Sequence, residues 1–135
     1  MVCNLERIVA GRAGALLPSA VMVEVVVGLG GNLGSPRHAF AQAASGLSSG
    51  ARLLAWSRLY RSRAVGPPQP DYVNAALLLD WPGDPRALLE LCNELEGAAG
   101  RDRSREARWG PRPLDLDLLI ADGVVCRGRR LTLPH

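Results

Sequence analysis

Twice in this chain a short polar residue stands directly before a proline, at Ser35-Pro36 and at Asp84-Pro85. A small oxygen-bearing side chain at a helix N-cap accepts a bond from an exposed backbone N–H, and proline in the first helical position gives up a donor that has no partner there. Each pair therefore sets a helix start. Apolar residues follow at helical spacing, Ala39, Phe40, Ala43 and Leu47 after the first pair and Leu88, Leu91, Cys92 and Leu95 after the second. Ser48, Ser49 and Gly50 close the first helix, and Gly97 and Gly100 end the second. Around the helices lie stretches with strand character: the β-branched residues 23–29, then residues 53–60, 72–81 and 114–120. Residues 61–70, rich in proline and glycine, read as a loop, and Asp122-Gly123 predicts a hairpin turn into residues 124–126. The order β-α-β-β-α-β predicts an α+β fold, a ferredoxin-like sandwich whose antiparallel sheet carries both helices on one face.

With 135 residues, 47% of them hydrophobic and 21% charged, the chain has material for one packed domain and is too apolar to stay disordered. That domain is expected over residues 22–135. Residues 1–21 are broken by Arg7, Gly11, Arg12, Gly14 and Pro18 and keep no period, so a poorly ordered N-terminal appendage is expected there, with Met22 an alternative start. Arg12 interrupts what a secretory signal would need as an apolar stretch. No apolar run reaches the ~20 residues of a membrane span. Cys3, Cys92 and Cys126 are odd in number and include no Cys-x-x-Cys pair, which supports neither a disulfide framework nor a zinc site. The expected compartment is the cytoplasm.

The sixteen basic residues outnumber the thirteen acidic ones, and all sixteen are arginine. Lysine nucleophiles, Schiff bases and the phosphate-loop lysine are thereby excluded, which leaves guanidinium groups suited to bidentate contact with phosphate oxygens. A codon bias toward arginine would give the same composition, so placement decides. Arg101, Arg103, Arg105, Arg108 and Arg112 crowd one loop, interrupted by Asp102 and Glu106 as its only acids, and Asp115-Leu116-Asp117 follows directly. On a strand, residues two apart share a face, so the two carboxylates point one way while Leu116 and Leu118 turn inward. Like charges held that close are best explained by a cation between them. Hard carboxylate oxygens suit Mg²⁺ together with phosphate oxygens, and the pair could serve two ions. Neighbouring arginines would then balance the charge that a triphosphate leaves over. A half-exposed strand beside a solvated basic loop shows the same pattern, and these residues alone leave both readings open.

The glycine-rich turn from Gly28 to Gly34 misses both familiar phosphate fingerprints, since Leu33 stands where the dinucleotide pattern needs glycine and no Gly-Lys pair exists. It brings backbone close to a ligand, or it simply joins strand to helix. Tyr72 and Asn74 share a strand face, where a ring beside an amide could read a flat heterocycle or merely pack across strands. No Ser-His-Asp or Cys-His arrangement stands out.

Four motifs then follow in a familiar order: Gly30-x-Asn32-Leu33-Gly34; Gly66-Pro67-Pro68-Gln69-Pro70-Asp71-Tyr72-Val73-Asn74-Ala75-Ala76; Arg108-Trp109-Gly110-Pro111-Arg112-Pro113-Leu114-Asp115-Leu116-Asp117; and Arg130-Leu131-Thr132-Leu133-Pro134-His135. From about Val23 to its last residue the chain resembles the 6-hydroxymethyl-7,8-dihydropterin pyrophosphokinases of folate biosynthesis. The resemblance implies an ATP-dependent diphosphotransferase, a 2-amino-4-hydroxy-6-hydroxymethyldihydropteridine diphosphokinase that moves the β,γ-diphosphate of ATP to the pterin hydroxymethyl oxygen and releases AMP. It implies two Mg²⁺ ions held by Asp115 and Asp117, with Arg101 and Arg112 steadying the transferring phosphates. It places Glu96, Arg108, Trp109, Arg130, Thr132 and His135 on ATP. It places Gly30, Asn32, Tyr72, Asn74 and the backbone of Ser62 and Val65 around the pterin.

Two departures accompany the resemblance: Ser62-Arg63 stands where the family favours Thr-Pro, and similar enzymes continue for several dozen residues past His135, so a C-terminally truncated domain is expected. The expected partners are ATP and the pterin alone, with no nucleic acid and no membrane, and the expected unit is a monomer. Two alternatives accompany this reading. One is a shortened, inactive or partner-dependent Mg-ATP and pterin-binding protein of the same family. The other is a ferredoxin-like RNA-binding module, motivated by a pI of about 9.1 and weakened by an aromatic content of only 4%.

Overall fold

The computed structural model describes residues 21–135, so the expected N-terminal appendage lies outside the described residues apart from Val21. Both helices begin at their caps. In α1 (Pro36–Ser48) the Ser35 side chain accepts from the His38 N–H, and in α2 (Pro85–Ala98) an Asp84 carboxylate oxygen accepts from the Arg86 N–H at 2.9 Å. α2 does not stop at Gly97, which is inside it. It ends where Gly100 adopts φ +93°, with the Arg101 N–H bonded back to the Glu96 carbonyl at 3.0 Å and the Gly100 N–H to that of Gly97 at 3.0 Å. This is a Schellman stop, and it turns Arg101 back alongside Glu96.

The strands are β1 (Met22–Gly31), β2 (Arg52–Trp56), β3 (Tyr60–Ser62), β4 (Tyr72–Pro82) and β5 (Asp115–Ala121). They form one antiparallel sheet in the order β2-β4-β1-β5, with β3 also on β4. This is the expected ferredoxin-like arrangement. Alternation sorts the two faces: Val25, Val27, Leu29, Leu77, Leu79, Leu116 and Leu118 are buried with Phe40, Leu47, Leu88 and Cys92 of the helices. The odd-even partners Gly28, Gly30, Tyr72, Asn74, Asp115 and Asp117 lie on the opposite, open face.

Three expectations need correction. The strand expected over residues 53–60 is two strands, because the Ser57 hydroxyl takes the N–H of Ala76 at 2.8 Å while the Ser57 N–H bonds the Ala76 carbonyl at 2.9 Å. A side chain thus replaces a backbone acceptor and the ladder breaks there. The Asp122-Gly123 turn does not return a strand onto β5; residues beyond it form β6 (Cys126–Arg127), which pairs with β7 (Thr132–Leu133) in a separate ribbon. Cys126 is disulfide-bonded, whereas Cys92 is a free buried thiol.

The packing makes Leu88, fully buried on α2, and Leu54, 38% exposed on edge strand β2, a matched contrast. Leu88→Ala is expected to cost about 2–5 kcal/mol and Leu54→Ala to stay within about 0.5 kcal/mol, read from urea unfolding midpoints.

Candidate active site

On the open face, strand register sets Gly28 opposite Asp117 and Gly30 opposite both Asp115 and Asn74. Glycine removes the side chains that would fill the middle of this row. A Cβ on Gly30 would stand 3.6 Å from Asn74 Oδ1 and 3.9 Å from both Asp115 Cβ and a Tyr72 ring carbon, so Gly30 is the floor of an open space. That space is a cavity of about 490 Å³, lined among others by Gly30, Tyr72, Asn74, Trp109, Asp115 and Asp117. Arg63, Val65 and Arg112 also line it. Asn74 donates to the Ser62 hydroxyl at 2.8 Å, and the Tyr72 hydroxyl donates to the Gly110 carbonyl at 3.0 Å.

Beside it stands a dense ion cluster. The Arg101 guanidinium, only 5% exposed, meets Glu96 at 2.8 Å, Glu106 at 2.6 Å and Asp115 at 2.5 Å. Burial works against its charge, but the Glu106, Asp115 and Glu96 carboxylates outweigh that and raise its pKa. Glu96, 1% exposed, also takes Arg103 at 2.5 Å and the backbone N–H of Leu116 at 2.7 Å. Burial pushes the Glu96 pKa up, against the pull of Leu116, Arg103 and Arg101. Arg112 reaches the second Asp115 oxygen at 3.3 Å, while its Nε is a buried donor with no partner. In this cluster four carboxylates (Glu96, Glu106, Asp115, Asp117) face three guanidinium groups (Arg101, Arg103, Arg112), an excess of one negative charge.

Asp117 is the unmatched member, with no ion pair among the described residues. Burial first and Asp115 second raise its pKa, while His135, Arg101 and Arg112 oppose the rise. The same neighbourhood pushes the Cys92 thiol up to about 12, by burial and then by Glu96 and Asp117, so Cys92 stays a protonated thiol and no nucleophile. A half-buried carboxylate lacking a cation beside another carboxylate fits a hard divalent ion. Mg²⁺ takes one or two carboxylates and leaves its other positions to phosphate oxygens and water.

The remaining expected residues divide. Arg130 lines a second cavity of about 750 Å³, along with Glu96, Arg101, Arg103 and Asp117. Arg108 and Trp109 line a third, of about 650 Å³, with Arg103 and Arg112, and the Arg108 guanidinium lies 5.6 Å from the Trp109 ring centre. Thr132 sits on β7 with its hydroxyl on the Gly128 carbonyl at 3.2 Å. His135 is tied to β5 through its N–H to Leu119 at 2.8 Å. Asn32 is not brought to a cavity. It is 6% exposed, and its side chain is spent on Gln69, the Pro70 carbonyl and the Arg112 N–H, each at 2.9 Å. Glu96 has both oxygens filled. The reading of residues passed over Glu106 and Gln69. A signal for Gln69 was present: between Pro67, Pro68 and Pro70, which lack backbone donors, a side-chain amide is a rare source of N–H.

A family model described as 7,8-dihydro-6-hydroxymethylpterin-pyrophosphokinase (HPPK) matches residues 26–135. The chain belongs to the HPPK family. Among its relatives, the 2-amino-4-hydroxy-6-hydroxymethyldihydropteridine pyrophosphokinase of Haemophilus influenzae is 40% identical over 118 residues, covering 84% of this chain and 72% of that protein. The enzyme of that name from Synechocystis sp. is 43% identical over 114 residues, 82% of this chain and 56% of that protein. That of Pseudomonas putida is 41% identical over 115 residues, 84% of this chain and 94% of that protein. The matched span in this HPPK family member runs from within β1 through the other strands of the sheet and includes both acids of β5.

The unmet charge at Asp117 has a consequence for stability. A carboxylate whose folded pKa is raised favours the fold in its neutral form; that contribution is complete below the ordinary value of 3.8 and is lost as pH climbs through the raised value. Metal-free Asp117→Asn is therefore expected to melt above the parent at pH 7, with the gap closing as pH falls through the raised value and gone below 3.8. Scanning calorimetry in EDTA measures it, and equal melting at pH 7 counts against an unmet charge.

Proposed function

We propose that this chain transfers diphosphate from ATP to 6-hydroxymethyl-7,8-dihydropterin in a Mg²⁺-dependent reaction, giving the pterin diphosphate and AMP in folate biosynthesis. The observation that carries this reading is the meeting of an acid pair on β5, an arginine cluster and an aromatic-amide wall at one cavity. The pterin hydroxymethyl oxygen attacks the β-phosphorus of ATP, and the bond from that phosphorus to the oxygen bridging the α-phosphate breaks. AMP leaves with the bridging oxygen, and the hydroxyl proton passes to solvent. Such a transfer rests on placement and charge balance more than on a strong base.

Asp115 and Asp117 would hold Mg²⁺, which when bound supplies neutralising charge to the phosphate oxygens. We assign two ions, because a triphosphate and a carboxylate pair together carry more negative charge than one divalent cation cancels. Arg101 and Arg112 steady the transferring phosphates, and the orphaned Nε of Arg112 is a donor free for a phosphate oxygen. Arg108, Trp109, Arg130, Thr132 and His135 hold the rest of ATP. Glu96 acts through Arg101 and Arg103, whose guanidinium groups it orients.

Tyr72 and Asn74 rise from β4 beside the Gly30 floor and face the pterin, with the backbone of Ser62 and Val65 at its edge. Asn32 contributes by binding the surrounding loops together. The working unit we assign is a monomer. No described helix is long and apolar enough to cross a membrane, and the cytoplasm, where a pterin and ATP meet, is the compartment we assign.

Asp115→Ala and Asp117→Ala are each expected to lower pterin-dependent AMP formation about 10²–10³-fold, followed by chromatographic separation of AMP from ATP with and without Mg²⁺. Parent-like rates in both variants would overturn the metal assignment. AMP formation independent of the pterin would overturn the reaction.

A further inference from the structure

Arg63 lines the cavity over Gly30 and takes no part in the reading above. It directly follows β3, whose last residue, Ser62, is paired with Tyr72 and accepts from the Asn74 amide at 2.8 Å. The backbone that delivers Arg63 is therefore anchored to β4. Arg63 itself is exposed. The other cation lining this cavity, Arg112, is held by Asp115 at 3.3 Å. Among the described residues, Arg63 is thus the one cation of this cavity that no carboxylate holds.

Strand register sets where that charge stands. Tyr60, Asn74, Gly30 and Asp115 form one row across β3, β4, β1 and β5, so its ends are three strand spacings, roughly 14 Å, apart. The acids of β5 are at one end and the residue after β3 is at the other. A two-ring heterocycle that points its hydroxymethyl arm at the acids turns its pyrimidine ring toward Arg63. The polar groups between them are already sorted. The Tyr72 hydroxyl gives its proton to the Gly110 carbonyl at 3.0 Å. Asn74, with an amide hydrogen spent on Ser62, sets its Oδ1 over the glycine floor, 3.6 Å from where a Gly30 Cβ would stand. That oxygen accepts from a ring N–H or amino group, which leaves the ring's carbonyl in need of a donor. A dihydropterin carries its C4 carbonyl oxygen and N5 side by side, two acceptors along one edge. Guanine offers the same pattern to arginine with O6 and N7.

We propose that Arg63 is a specificity-determining residue whose guanidinium fork binds the O4–N5 edge of the pterin, so that this cavity selects a 4-oxo ring over a 4-amino ring. This rests on the reading that a pterin occupies the cavity. An amino group at C4 replaces an acceptor with a donor and sets it against a side chain that can only donate. The test is calorimetry on the full chain with 6-hydroxymethylpterin and with 2,4-diamino-6-hydroxymethylpteridine, Mg²⁺ and α,β-methylene-ATP being present throughout.

The parent is expected to bind the 4-oxo ligand more tightly. Arg63→Met, which keeps an unbranched side chain without a donor, is expected to cut that preference about tenfold, by weakening the 4-oxo ligand and sparing the 4-amino one. Arg63→Lys keeps the charge and loses the fork, so it is expected to retain only part of the preference; retention in full would overturn the two-point contact. Equal weakening of both ligands in Arg63→Met would mark Arg63 as merely structural, and an unchanged preference would show that the edge is read elsewhere; either result overturns this proposal alone. A parent that binds neither ligand overturns the functional reading and the proposal with it.

Discussion

A guanidinium group taken out of water must be matched by acids, and Arg101 is matched by three. That constraint organises the site. Glu96 comes from the last turns of α2, Glu106 from the arginine loop and Asp115 from the head of β5, so one buried cation ties helix, loop and strand to a common point. Removing Arg101 would leave three crowded carboxylates without their shared cation, a larger penalty than losing a surface pair. The loop that would otherwise be a solvated run of arginines is therefore held against the sheet edge, where its remaining cations Arg103 and Arg112 stand beside the β5 acids.

The same cluster is not neutral. Its extra negative charge falls on Asp117, and the arginines that touch Asp115 occupy both of that carboxylate's oxygens. A divalent cation arriving with phosphates would relieve Asp117 and give the guanidinium groups new anionic partners in exchange for Asp115. The site is in this sense built for a ligand that carries both signs, a metal and a polyphosphate together. The glycines of β1 do the complementary work, because their missing side chains leave the space over the sheet in which such a ligand meets the Tyr72 and Asn74 wall.

Much of this could be read from the chain before any coordinates, where the determining interactions are local. Ser35-Pro36 and Asp84-Pro85 set the helix starts because a cap acts within three residues. The pairing of Asp115 and Asp117 on one face follows from strand geometry, and the four motifs in order pointed to the HPPK family. What escaped depends on contacts between distant residues. Ser57 breaks a strand only because its hydroxyl meets Ala76 across the sheet. Glu96 follows Cys92 by four residues and Leu88 by eight, so its spacing puts it on the buried face of α2, but nothing local names the two arginines that meet it there. Asn32, expected at the pterin, stands 80 positions from Arg112, and its bond to that residue's N–H shows only in the fold. Gln69 was present in a quoted motif, but its bonds to Asn32 and to the Trp109 carbonyl show only in the fold.

The measurement closest to the central claim is a crystal structure with Mg²⁺ and α,β-methylene-ATP. The account predicts cation density about 2.1 Å from oxygens of both Asp115 and Asp117, phosphate oxygens on Arg112, and Arg101 still anchored by Glu96 and Glu106. A nucleotide bound away from β5, or bound there with no cation on either acid, would contradict it.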